Sequence, residues 1–167
     1  MTVEFQFGDI EKADVDAIVV ESNTQLMLGP TGRAIRVAHP TIGTECFLLA
    51  PIGVGNAAIT GAGKLKASYV IHAAAKPLTG RPVTSKSCRD ATRNSLLRAQ
   101  EKGLKRIAFS TIGAGIHDLG VAECARNMLE TIRDHAGTSD CTIDRVTFVM
   151  PSTQVLDTFK KTWQALQ

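Results

Sequence analysis

The sequence predicts an α/β fold, a three-layer α/β/α sandwich around a mixed, largely parallel sheet. Two observations carry that expectation. Ala17–Val20, Tyr69–Ala73, Arg106–Ser110 and Val146–Met150 are short apolar runs without polar alternation, the pattern of strands covered on both faces. Amphipathic helical stretches fall between them, and strand–helix alternation builds parallel sheets sandwiched by helices. At 167 residues and 17.9 kDa, one domain spanning residues 1–167 is expected, long enough for a core without disulfides or metal.

The elements follow in chain order. Val3 to Phe7 alternates and reads as a less covered strand. Ala17–Val20 is the first fully buried strand, and a short helix covers Gly32 to Ala38. After the Tyr69–Ala73 strand, residues 76–86 carry Pro77, Gly80 and Pro82 and read as a loop. Thr84 to Lys102 is helical by propensity, with Gly103 where a C-cap glycine belongs. Between Leu119 and His135, Val121, Ala125, Met128, Leu129 and Ile132 share one stripe, opposite Glu123, Arg126, Glu130 and Arg133. The last helix repeats the pattern with Val155, Leu156, Phe159, Trp163 and Leu166, and Ser152 suits its N-cap.

Composition excludes several classes. With 44% hydrophobic and 21% charged residues, the chain is neither disordered, fibrous nor a coiled coil. A net charge of +3 is too small to imply a nucleic-acid binder. Cys46, Cys88, Cys124 and Cys141 form no CxxC pair, and the four histidines add no ligand spacing, so neither a metal nor a cofactor is expected. The cysteines read as buried thiols in a reducing compartment. The first residues lack a signal-peptide pattern, and no apolar stretch nears a membrane span, so a cytoplasmic protein away from membranes is expected.

In such folds ligands bind beyond the carboxyl ends of the strands. Ile112-Gly113-Ala114-Gly115-Ile116-His117 follows a buried strand and precedes a helix. Glycines there let backbone N–H groups converge, and a helix N-terminus adds positive potential, which suits a phosphate or diphosphate; a plain tight turn has the same pattern. Ser22 to Gly32, with Asn23, Gly29, Thr31 and Gly32, follows another buried strand and either lines the same cleft or is a simple loop. Asp9, in Gly8-Asp9-Ile10, is a turn residue or an acceptor for an exocyclic amine. Gly61-Ala62-Gly63-Lys64 misses the P-loop pattern, and His72 reads as a core histidine.

Taken together, Gly8-Asp9-Ile10, Val15-Asp16-Ala17-Ile18-Val19, Asn23, Gly55–Gly61, Tyr69–His72, Gly103–Phe109 and Gly113–Ile116 resemble a macrodomain, the ADP-ribose-binding module, of the small stand-alone prokaryotic type. The resemblance runs in order over essentially the whole chain. It implies a mixed sheet of about six strands and a ligand that is ADP-ribose or an ADP-ribosylated molecule. By position, Asp9 would accept from the adenine amine and the Ile10 N–H would reach the ring. Asn23 would face the distal ribose. Gly113, Ala114, Gly115 and Ile116, followed by His117, would wrap the diphosphate, with Gly29, Thr31 and Gly32 on the other side. One cleft would hold all of these.

The chain departs from the family's pattern. Where the family carries Asn-Ala-Ala-Asn, it has Val20-Glu21-Ser22-Asn23. The first loop, Leu28-Gly29-Pro30-Thr31-Gly32, is shorter than the family's glycine run and lacks its acid; Thr31 is nearest. Pro151 stands where an aromatic residue often stacks near adenine. Glu21 puts a carboxylate near the diphosphate unless it faces the opposite layer. Backbone contacts survive such changes, whereas hydrolysis wants a group that activates water. Binding is therefore favoured over ADP-ribosyl hydrolysis or O-acetyl-ADP-ribose deacetylation, in which Asn23 is the best catalytic candidate. RNA or another nucleotide is a third reading. It draws on Lys64, Lys66, Lys76, Arg81, Lys86 and Arg89, although a solvated basic face explains them as well. The sequence does not speak to oligomeric state.

Overall fold

The structure, a computed structural model, describes residues 1–27 and 29–167. Its strands are β1 (Thr2–Phe7), β2 (Ala17–Asn23), β3 (Ala57–Gly61), β4 (Tyr69–Lys76), β5 (Arg106–Phe109) and β6 (Arg145–Met150). They form one six-stranded sheet in the order β1-β6-β5-β2-β4-β3. Every neighbouring pair is parallel except β3 with β4. The helices are α1 (Pro30–Ala38), α2 (Pro40–Leu49), α3 (Ser85–Glu101), α4 (Val121–Ala136) and α5 (Thr153–Ala165).

The unbroken apolar runs are explained by two cores. Ala17 and Val19, Ile71 and Ala73, Ile107 and Phe109, and Val146 and Phe148 join α3, α4 and α5 in the larger one. Their neighbours Ile18, Val20, Val70, Ala108 and Val149 join α1, α2 and the β1–β2 connection in the smaller. Successive strand residues face opposite layers, so burial of both faces demands apolar residues throughout. β1 is an edge strand and keeps its alternation, with Val3 and Phe5 half-buried between exposed residues.

The sequence misses two elements. α2 is apolar almost all round, which hides a helical period, and β3 is only five residues long. α1 starts at Pro30 rather than Gly32, with proline in the first turn where its missing N–H costs nothing. Thr84 caps α3 through a capping box with Ser87, Gly103 adopts φ +68° beyond its end, and Ser152 caps α5.

Asp16 ties the sheet together at the strand starts. Its Oδ2 accepts from the N–H groups of Lys105 (2.9 Å) and Arg106 (2.8 Å), and its Oδ1 from the Arg106 guanidinium (3.1 Å). Burial opposes the charge, but these donors outweigh it and hold the carboxyl below its ordinary pKa. The Val-Asp-Ala-Ile-Val pattern is thus structural.

His72, within β4, is wholly buried, with Nε2 2.9 Å from Thr60 Oγ1 and 3.6 Å from Cys46 Sγ. Burial lowers its pKa to about 4. Between the unfolded value near 6.5 and about 4, the unfolded chain binds a proton that the folded chain refuses. Stability from this group is therefore complete above pH 6.5 and falls as the pH drops towards 4, by about 3 kcal/mol in full. Urea titrations at neutral and mildly acidic pH should show a much smaller acid loss in His72→Gln than in the parent; equal losses in the two would acquit His72.

Candidate functional site

All five parallel strands end on one edge of the sheet, and their loops build a cleft of about 500 Å³ there. Its floor is the end of β2, Glu21 to Asn23. Gly29 and Arg33 at the start of α1 form one wall, Gly115 and Asp118 after β5 the other, and Lys76 closes the end of β4. A smaller depression of about 160 Å³ adjoins it, sharing Glu21 and Gly29 and reaching Thr31, Gly32, Ser110 and Thr111.

Asn23 shapes the first wall. Its Oδ1 accepts from the backbone N–H groups of Gln25 (3.1 Å) and Met27 (3.0 Å), as asparagine does in side-chain turns. The carbonyl oxygen is thereby committed, and the amide NH2 is what the residue can offer a ligand. Gly29 caps α1, and its carbonyl accepts from Arg33 N at 2.8 Å. Leu28, the first member of the predicted loop, lies outside the described residues.

The second wall is a folded-back loop. Gly113 adopts φ +88° in a buried position, Leu119 N–H donates to its carbonyl (3.0 Å), and Asp118 N–H donates to the Gly115 carbonyl (3.0 Å). Cys88 and Cys124 each direct a thiol at the Ile112 carbonyl (3.2 and 3.1 Å), fixing the loop's root to α3 and α4. Ala114 packs on the larger core, while Gly115, Ile116 and His117 are exposed, Ile116 at 95%. The backbone N–H groups of Ala114, Gly115, Ile116 and His117 donate to no described group. α4 begins further on than expected, capped by Gly120 at φ +78°.

The charges are arranged as acid against base. Asp118 is almost buried, with a side-chain exposure of 8%, and accepts from Val83 N–H (2.8 Å) and Lys76 Nζ (3.4 Å). Glu21 lines the cleft, and its carboxyl lies near the Gly113 N–H, Asp118 and Lys76. Burial, then the Asp118 charge, raise its pKa against those two favourable contacts. Beside it, Ser22 Oγ is buried without a hydrogen-bond partner among the described residues.

The residues expected to share one cleft line three depressions. Asn23, Gly29 and Gly115 meet in the main cleft, and Thr31 and Gly32 in the adjoining depression. Asp9 lies apart, in a depression of about 430 Å³ with Glu11, Lys64 and Lys66, and pairs with Lys12 at 3.2 Å. The Ile10 side chain is core. Two strands' width separates the loops after β1 and β5 because β6 lies between them, an order the sequence does not display. Arg33 and Asp118 escaped notice, and Lys76 was named only for the basic face of the nucleic-acid reading. Lys76 had a signal, for it ends a parallel strand on the ligand-binding edge, and Asp118 directly follows the glycine motif.

Among the described residues no cluster of His, Cys, Asp and Glu suits a metal, the four cysteines are free, and no helix is long and apolar enough to cross a membrane.

The Macro domain family model matches residues 23–135. An uncharacterized protein of Mycobacterium tuberculosis is 35% identical over 150 residues, covering 89% of this chain and 41% of that protein. The chain thus spans about two fifths of the mycobacterial relatives it matches. A macro domain-containing protein of Lactiplantibacillus plantarum is 32% identical over 162 residues, with 95% and 94% of the two chains covered. Among solved structures, a mutant of the Oceanobacillus iheyensis macrodomain superposes with a TM-score of 0.87 at 24% identity, over 98% of this chain and 92% of that one. The Trypanosoma brucei macrodomain in complex with ADP-ribose gives 0.79 at 24% identity, over 95% and 68%. These structures share the fold; the match over residues 23–135 and relatives more than 30% identical along nearly the full length go further, and the chain belongs to the macrodomain family.

Proposed function

We propose that the cleft binds ADP-ribose, free or carried on another molecule. The observation that carries this is that no described group claims the N–H donors from Ala114 to His117, in a loop whose Gly115 lines a cleft of about 500 Å³ with Asn23 and Gly29. Uncommitted backbone donors suit a diphosphate with little dependence on side-chain charge. On this reading the distal ribose lies towards the Asn23 amide, Gly29, Thr31 and Gly32. The adenine reaches towards the Ile10 N–H and Asp9. The Asp9–Lys12 pair is largely exposed, and such pairs are worth at most about 1 kcal/mol, so it yields readily to an adenine amine.

Binding suits the cleft better than turnover at Asn23. The Asn23 oxygen is occupied by two backbone donors, which leaves only its amide NH2 to orient a water or the ribose. The nucleic-acid reading loses support as well, because Lys76 is held by the nearly buried Asp118 and Arg89 by Asn127.

A ligand that binds only the folded state raises the unfolding temperature. ADP-ribose should raise it by several degrees at concentrations where AMP, which lacks the second phosphate and distal ribose, leaves it unmoved. A mono-ADP-ribosylated protein should bind without release of ADP-ribose. Equal shifts with AMP would reassign the site to simple nucleotides, and release abolished by Asn23→Ala would make it an enzyme.

A further inference from the structure

Glu21 is the feature the binding reading leaves unexplained. An anion cleft gains nothing from a half-buried carboxyl on its floor, and this one borders both the main cleft and the smaller depression. Its charge lies beside the root of the loop that should hold phosphate, near the Gly113 N–H. Two cations stand nearby, but neither neutralises it simply. Lys76 is held by Asp118, whose carboxylate is nearly buried, and Arg33 sits exposed on the α1 wall. Next to Glu21, the Ser22 hydroxyl is buried and has no partner among the described residues. The floor therefore offers acceptors, and a buried acceptor left without its donor is costly.

Resting on the ADP-ribose reading, we propose that Glu21 sets the specificity of the cleft. Its carboxylate accepts hydrogen bonds from the free hydroxyls of the distal ribose and repels any further phosphate placed there. The ligand is then an ADP-ribosyl group whose distal ribose carries no phosphate, with ADP itself a poorer fit. This is discrimination by a repulsive element as much as by an attractive one.

The test is titration calorimetry at neutral pH with three ligands: ADP-ribose, ADP, and ADP-ribose phosphorylated on the distal ribose. The parent should prefer ADP-ribose to the phosphorylated form by at least about tenfold, the scale expected for like charges brought together. Glu21→Gln keeps the size and an oxygen for the Gly113 N–H. It should narrow that ratio to within about threefold, mainly through tighter binding of the phosphorylated ligand. Glu21→Ala provides a second variant and should narrow it likewise. A general disturbance of the cleft would weaken every ligand together and leave the ratio unchanged; that result overturns the proposal while the ADP-ribose reading stands. If the parent binds none of the three, the ADP-ribose reading itself fails.

Discussion

Gly115→Glu is expected to lower ADP-ribose affinity at least about a hundredfold, a loss of roughly 3 kcal/mol, with little change in unfolding temperature. Gly115 is exposed on the loop whose free N–H groups are assigned to the diphosphate. A Cβ built there meets Asp118 Oδ2 at 2.9 Å, so the new side chain must push Asp118 aside or lean into the cleft. Either way a third carboxylate joins Glu21 and Asp118, and like charges brought together in an anion site cost several kcal/mol. Gly115→Ala separates the two contributions, for it crowds Asp118 without adding charge and should bind noticeably less weakly than the glutamate variant. Equal affinities for parent and Gly115→Glu would remove this loop from the binding site.

Two residues earlier the same loop is limited by packing. Gly113→Ala is expected to destabilise the protein by about 2–5 kcal/mol. The residue sits at φ +88°, where an L side chain is strained, and its Cβ would lie 2.8 Å from Val83 Cγ1. Backbone strain of this kind costs about 1–2 kcal/mol and overpacking a core about 1–3. Only the second part should respond to Val83→Ala. A double-mutant cycle read by urea denaturation should therefore recover about 1 kcal/mol when Val83 is shortened. Strict additivity would mean that the loop relaxes away from Val83 and that strain alone sets the cost.

How far the sequence disclosed this site follows from what each part depends on. Ala17–Val20 and Tyr69–Ala73 were legible because burial on both faces leaves its mark on every residue. α2 was not, because a helix with apolar residues all round has no period to detect. The glycine loop was legible because Gly113 and Gly115 are needed where the backbone turns left-handed or passes close to Asp118. The partners of that loop were not: Lys76 and Asp118 lie 42 positions apart, and the folding back of the loop beside the end of β4 brings them together. Asp9 illustrates the reverse. Its motif placed it with the other ligand residues, and the strand order set it in its own depression. Asn23 was singled out for a ligand and also proves to hold up the loop beside it.

Calorimetric titration of the parent protein with ADP-ribose tests the central claim most directly. A saturable, one-to-one heat with a dissociation constant in the micromolar range or below is expected, lost in Gly115→Glu. No heat up to millimolar ADP-ribose would contradict it.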